Sequence, residues 1–454
     1  MRSLSSTGLV MTARTPSADE LSSLVERALS EARGMGASAA DVGVSIDAGL
    51  SVTVRLGEVE TLEHHRNRAM GITAYVGQRK GSASTGDLSW PAIVDTVRKA
   101  VSIAKFTAED PYAGLPDAAD LAVEIPDLSL SHPWNIEAEA AIHLARDCEA
   151  AALALDARIT NSEGAAVSAH VAERVYGNTL GLIAGYPSSY ASISCVVMGQ
   201  LGEQQERDYW YSTSRDPALL ETPESIGRRA AERTVARLGA RRIATTKAPV
   251  LYVPELARGL LGHFLGAIRG GAQYRRSSFL LDAAGEQIFP AFFSISERPH
   301  LKGALGSAPF DSEGCRTRDR ELVRNGVLDG YVLDTYSARK LGLKTTGNAG
   351  GVHNLLVQPG ADDFAALLKQ MGRGFVVTEL MGQGVNGVTG DYSRGATGFW
   401  VEDGAIAFPV NEVTIAGNLR DIYRDLVAVG SDVDARGSVR TGSILVAEMT
   451  IAGE

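Results

Sequence analysis

The chain has 454 residues, 44% of them hydrophobic and 22% charged, with a formal net charge of −10. That length suggests two or three domains with real cores. The acidic balance argues against a nucleic-acid binder, which needs a basic face to displace counterions, and no run of 18 apolar residues is available to span a membrane.

Residues 1–16 lack the apolar core of a secretion signal and read as a flexible leader. "SADE", starting at Ser17, is a capping box for a helix with an apolar stripe of Leu21, Leu24, Val25, Ala28 and Leu29. Two strands follow, "DVGVSI" and "SVTVRL", with "DAGL" between them as a turn. "GITAYVGQRKGSAST" is a further strand pair. "SWPAIVDTVRKAVSIAKF" is a helix that Ser89 can cap. These elements make an N-terminal α+β domain over 17–109.

Four prolines, Pro111, Pro116, Pro126 and Pro133, mark residues 110–135 as a linker. A middle domain over 136–240 opens on a helix from about Ile136 to Leu155. It continues in an alternating stretch, "AAVSAHVAERVYGNTLGLIAGYPSSYASISCVVMG", read as an antiparallel meander. Thr222–Pro223 opens another helix, with proline at its first position. Its arginines, Arg228 to Arg242, read as a solvated face.

The remainder, 241–454, is a β-rich C-terminal domain punctuated by many of the chain's 49 glycines. It holds an apolar helix from Pro254 through "LLGHFLGAIRGG", and two further helical runs, "DDFAALLKQM" and "GNLRDIYRDLVAV". The fold class expected is α+β.

Several short patterns invite a chemistry. "GQGVNG", Gly382 to Gly387, matches a dinucleotide fingerprint, but the stretch after it is glycine-broken and β-like where a helix is required. A tight β-turn is the reading. Cys148, Cys195 and Cys315 form no CxxC pair, which suggests a reducing compartment, the cytoplasm. Cys315 sits among charges and could be a reactive thiol; a plain loop cysteine is the safer reading. His64 and His65 are adjacent, so in a strand they point to opposite faces rather than to one metal. No GxSxG elbow is present.

Longer blocks carry a resemblance. "GGAQYRRSSFLLD", "SAPFDSEG", "YSARKLGLKTTGNAGGVHN", "VVTELMGQGVNGVTGDYSRGATGFWVE" and "EVTIAGNLRDIY" closely resemble the TldD/PmbA family, in its TldE (PmbA) branch. Weaker similarity runs through "ITAYVGQRKGSASTGDLS" and "RITNSEGAAVSAH", so the resemblance covers nearly all of the chain after the leader. In that family the TldD branch carries an HExxxH helix that binds zinc, with a glutamate base and a C-terminal cysteine ligand. Residues five apart on a regular helix lie about 140° apart, so that motif needs a local bulge. Laid on this helix, its first histidine falls on Gly262, its glutamate on His263, its second histidine on Ala267 and its cysteine near Thr441. The resemblance therefore implies a degenerate zinc helix with no metal and no cofactor in this chain.

It further implies a catalytically silent subunit that joins a TldD-like HExxxH partner, which holds the zinc, in a heterodimeric protease of unfolded or flexible peptides. Gly382, Gly384 and Gly387, with Asp391, Tyr392 and Arg394, are the candidate lining of a peptide cleft. A stand-alone peptide-binding adaptor, or a hydrolase built on the Asp391–Tyr392–Arg394 cluster, are the alternatives. Whether the chain forms a homodimer when alone stays open.

Overall fold

The structure, a computed structural model, describes residues 16–453, so the expected leader lies outside the described residues except for Pro16. The chain forms two compact units that interleave in sequence. One takes residues through Asp47, Asn67–Leu115 and Ala172–Pro187; the other takes Ala48–Arg66, Pro116–Val171 and everything from Ser188.

The first unit begins with helix α1 (Ala18–Gly34). Its capping box forms as expected: Glu20 N–H donates to Ser17 Oγ and Ser17 N–H donates to the Glu20 carboxylate. Strands β1 (Ala39–Arg55), β2 (Glu58–Val76) and β3 (Arg79–Thr85) and helix α2 (Trp90–Phe106) follow, with residues Ala48–Arg66 of β1 and β2 counted in the second unit. Leu21, Val25 and Leu29 of α1 and Ile93 and Val97 of α2 share one core with Val42, Val44, Met70 and Ile72. Ser89 occupies the N-cap of α2 but its side chain makes no cap bond; Pro91 in the first turn starts the helix instead.

"DAGL" is not a turn: β1 runs straight through it. Buried Val42, Val44 and Ile46 keep the same parity as Leu50, Val52 and Val54 beyond it, so the period-2 register carries through with only Ala48 less than fully buried.

In the second unit, α3 (Ala138–Leu153) and α4 (Pro223–Arg237) pack with strands β4 (Ile159–Asn178), β5 (Ile183–Leu201) and β6 (Gln204–Ser214). Gly227 lets the two helices approach, since a Cβ there would stand 1.9 Å from the Cys148 carbonyl oxygen. The strand order is β3-β2-β1-β4-β5-β6; the stretch expected as a meander forms β4 and β5, neighbours in that sheet, and β5 pairs antiparallel with β6.

The rest of the second unit starts with β7 (Thr246–Tyr252), α5 (Pro254–Ile268) and α6 (Gly270–Tyr274). Next come β8 (Ile295–Glu297), β9 (Arg320–Arg324), β10 (Val327–Leu328), α7 (Thr335–Lys340), β11 (Leu355–Val357) and α8 (Phe364–Met371). The chain ends with β12 (Gly374–Met381), β13 (Asp391–Glu402), β14 (Ala405–Asn418), α9 (Leu419–Arg424), β15 (Leu426–Val429), β16 (Val439–Arg440) and β17 (Ile444–Ala452). One sheet has the order β10-β9-β8-β11-β16, the other β14-β13-β12-β7-β17-β15. A further β14–β17 pairing, Thr414↔Ala452 to Ala416↔Thr450, closes the second sheet on itself.

Its two faces take different helices. Val250, Tyr252, Val377 and Ile444 lie with α5 in one core; Leu251, Val376, Val401 and Leu445 lie with α8 in another. "GNLRDIYRDLVAV" is helical only to Arg424. Its tail becomes β15, because Leu426, Ala428 and Val429 pair with β17. Helix α7, capped by Asp334, lacked a strong enough apolar stripe to be expected.

Phe264 of α5 is fully buried, edge-on to Phe289 at 5.0 Å and to Tyr423 at 6.1 Å. Phe264→Ala should therefore destabilise the chain by about 3–5 kcal/mol in chemical denaturation. A loss below about 1 kcal/mol would mean that this cluster does not anchor the helix.

Candidate functional site

The site is built on α5. Pro254 at its first turn and an apolar stripe of Ala257, Leu260, Leu261, Phe264, Leu265 and Ile268 turn one side inward. Tyr423 secures that setting by donating its hydroxyl to the Leu260 carbonyl at 2.9 Å. Gly259, Gly262 and Gly266 are left exposed on the opposite side, with half-buried His263 among them. Each sits at the helical spacing of three or four that defines one face.

No heavy atom lies within 4 Å of where a Cβ would be at any of these three glycines. Packing does not demand glycine there. Each nevertheless costs about 1 kcal/mol of helix stability relative to alanine. The face is a strip of bare backbone.

The other candidate stretch meets this helix. Tyr392 and Arg394 lie on one face of β13, two residues apart. The Tyr392 ring stands edge-on to the His263 ring, centroids 5.9 Å apart. Burial, and then the Arg394 guanidinium, hold the His263 pKa below its ordinary value of 6.5. Arg394 also donates from Nε to the Met381 carbonyl at 3.4 Å.

Tyr392 is 2% exposed, and its hydroxyl makes no hydrogen bond of standard geometry among the described residues. It lies beside the Tyr252 hydroxyl, which points instead to Met449 Sδ at 3.4 Å. Burial pushes both phenols up, so neither supplies a phenolate near neutral pH.

Asp391 does not join this group. Strand alternation sends it to the opposite face, where it accepts from Thr389 Oγ1 at 2.6 Å and Asn418 Nδ2 at 3.4 Å. The proposed triplet is therefore split: Tyr392 and Arg394 face His263, while Asp391 ties down a turn.

The zinc-helix positions are equally divided. Helix α5 is regular through Ile268, so Gly262 is exposed and Ala267 is 4% exposed. The Ala267 carbonyl accepts from Gln273 Nε2 and Ser278 Oγ, both at 2.7 Å. Thr441 is buried, and its hydroxyl donates to the Gly442 carbonyl at 3.0 Å. Of these four positions only His263 carries a good metal-ligand atom, and one imidazole does not make a zinc site.

The glycine loop between β12 and β13 is a turn, not a nucleotide cradle, for no helix follows it. Asn386 Oδ1 accepts from Val388 N–H at 2.9 Å, and Gly382 has φ +76°, where glycine is at ease. Gly384 is a packing position: a Cβ would stand 1.9 Å from the Ser393 carbonyl oxygen. Gly387 faces open space.

Asp311, Glu313 and Cys315 are the one group of three or more clustered metal-ligand side chains among the described residues. The Asp311 carboxylate is already committed to the backbone N–H groups of Glu313, Cys315 and Ala349, each at 2.9 Å. Burial and the two carboxylates push the Cys315 thiol well up, which makes it inert. Sequence reasoning missed Tyr252, Gly259 and Gly266. The glycines were legible as a G-x-x-G-x-x-x-G face; Tyr252 was not.

A depressed His263 pKa has a consequence of definite sign. The unfolded chain holds the proton more tightly, so this residue's contribution to stability grows as pH rises through the window just below 6.5 and is lost on acidification. NMR titration should find His263 neutral at pH 7, with a midpoint below that of an exposed histidine. His263→Gln should flatten that part of the stability profile. A midpoint at or above the ordinary value would contradict the burial described.

Three domains of one family match in succession: PmbA/TldA metallopeptidase domain 1 over residues 40–104, the central domain over 131–238 and the C-terminal domain over 245–453. The chain is 50% identical over 415 residues to Metalloprotease PmbA of Escherichia coli O157:H7, covering 91% of this chain and 92% of that one. It is 48% identical to the Haemophilus influenzae PmbA homolog, covering 96% of each. The TldD homolog of the same Haemophilus strain is more distant, 22% identical over 83% of each chain. Among solved structures, a Bacteroides thetaiotaomicron protein named for modulation of DNA gyrase superposes with a TM-score of 0.91 at 28% identity, covering 96% of this chain and 99% of that one. The chain belongs to the PmbA/TldD metallopeptidase family, on its PmbA (TldE) branch.

Proposed function

We propose that this chain is the PmbA/TldE-type subunit of a two-chain zinc metalloprotease that acts on unfolded or flexible peptides. In this reading it binds and positions peptide, and a TldD-like subunit with an HExxxH helix holds the zinc. The metal there would polarise the scissile carbonyl and activate water. No hydrolytic step is assigned to this chain, because Gly262, His263, Ala267 and Thr441 offer one imidazole between them.

One observation carries the peptide-binding half of the proposal. Gly259, Gly262 and Gly266 expose backbone on α5 with nothing in the chain above it, at a cost of about 2–3 kcal/mol in helix propensity. An extended peptide that approaches closely is the kind of occupant that needs bare backbone. Half-buried His263, at its border beside the buried Tyr392 ring, supplies a polar side chain there.

The partner half is supported by the presence of both a PmbA homolog and a TldD homolog in Haemophilus influenzae. No described helix is long and apolar enough to cross a membrane, and all three cysteines are free thiols. Both fit a cytoplasmic complex.

The deciding experiment purifies the chain with and without a TldD-like partner, then measures zinc and casein-type proteolysis. The expected outcome is zinc and activity only in the mixture. Robust proteolysis by this chain alone, or one zinc per chain that His263→Ala removes, would refute the division of labour. Peptide binding without any complex would favour a stand-alone adaptor.

Point variants test the glycine face. Gly262→Ala should stabilise the isolated chain by up to about 1 kcal/mol, since its methyl meets nothing, yet lower proteolysis by the complex. Gly387→Leu is the clean test of the β12–β13 loop, because Gly384→Leu would break the turn through the Ser393 carbonyl. Full activity in a folded Gly262→Ala complex would move the peptide path off α5.

A further inference from the structure

Away from α5, in the second unit, two histidines meet that the sequence holds 105 residues apart. His170 Nδ1 lies 3.1 Å from His65 Nε2, with ring centroids 4.7 Å apart and planes tilted by 38°. Both rings are half-buried, whereas the neighbouring His64 is exposed.

Their strands are not neighbours. His65 is on β2 and His170 on β4, with β1 between them. Adjacent strands are about 4.8 Å apart, so side chains from β2 and β4 must reach across a whole strand to touch. Gly49 of β1 makes this possible. A Cβ at that position would stand 2.5 Å from His170 Nδ1 and 2.6 Å from His65 Cε1. The missing side chain is the gap in which the two imidazoles face each other. Between the adjacent strands β1 and β4, Ser51 Oγ and Ser168 Oγ lie 3.2 Å apart.

Two imidazole nitrogens that close hold something between them. In the bare pair it is a proton, donated by one ring to the lone pair of the other. A tetrahedral ion with bonds of 2.0–2.1 Å to each nitrogen would set them about 3.3–3.4 Å apart. Exchanging the shared proton for such an ion therefore moves the rings by only a few tenths of an ångström. Both ligands stand on hydrogen-bonded strands, which hold position better than loops. Imidazole pairs select zinc, nickel or copper over magnesium or calcium, which want oxygen.

We propose that His65 and His170 form a two-histidine site for a divalent transition-metal ion of the zinc–nickel–copper class, opened by Gly49. Water completes the coordination, so the site is an exchangeable one. It is separate from the α5 positions and independent of the proteolytic proposal.

The test titrates the purified full chain with Cu(II), followed by electron paramagnetic resonance, and then competes with Zn(II). One copper per chain is expected in the micromolar range, with hyperfine coupling to two nitrogens, displaced only by a large excess of zinc because copper binds such sites more tightly. His65→Gln and His170→Gln should each weaken binding at least tenfold while keeping a polar side chain of similar reach. Gly49→Ala should do the same by wedging the rings apart, and His64→Gln should change nothing. The glutamine pair keeps the test decisive if Gly49→Ala fails to fold. Absence of saturable binding in the native chain overturns the proposal, as does unchanged binding in the His65→Gln/His170→Gln double variant.

Discussion

The setting of α5 about its own axis is the constraint on which the candidate site depends. Leu260, Leu261, Phe264 and Ile268 bury one side of the helix against the sheet and the aromatic group of Phe289, Phe293 and Tyr423. The Tyr423 hydroxyl bonds to the helix backbone itself, at Leu260. With that side fixed, the period of 3.6 leaves no freedom for the other. Gly259, Gly262 and Gly266 must face outward, and His263 must lie against Tyr392.

The same setting explains why a zinc helix is not recovered by inspection of the motif positions alone. Gly262 and Ala267 fall on different sides because the helix is regular. The carbonyl of Ala267 is used twice, by Gln273 and Ser278, to turn the chain into α6 and the loop beyond it. The region is a structural corner at one end and a bare strip at the other.

Within the second unit, buried charge ties the meander to the closed sheet. Arg237, at the end of α4, is almost fully buried and pairs with Asp208 at 3.5 Å, Glu206 at 3.4 Å and Glu379 of β12. Such a cluster contributes little net stability over an apolar contact, but removing one member strands the others. Its value is in specifying one arrangement of α4, β6 and β12. Around Trp210, Arg436 stacks at 4.0 Å and Arg233 at 5.3 Å, extending the same order outward.

Local pattern determined much of this protein. The capping box at Ser17, the apolar stripe of α1, the proline start of α4, the apolar run of α5, the alternating strands of the meander and the turn character of "GQGVNG" all follow from neighbours a few residues apart, and so were readable from the sequence. The long family blocks identified the fold for the same reason. What stayed hidden depended on partners far along the chain. "DAGL" has turn composition, yet pairing on both sides of β1 keeps it extended. "LVAV" continues a helical stripe, yet β17 claims it as a strand. Tyr392 and Arg394 stand beside Asp391 in the sequence, but only the pleat of β13, placed beside α5, decides which of them meets His263. His65 seemed ill-matched to its neighbour His64; its real counterpart is His170, brought over Gly49 by three strands in register. Periodicity is a property of the chain, whereas proximity across a sheet is set by which strands pair, and that is decided by the burial of the whole core.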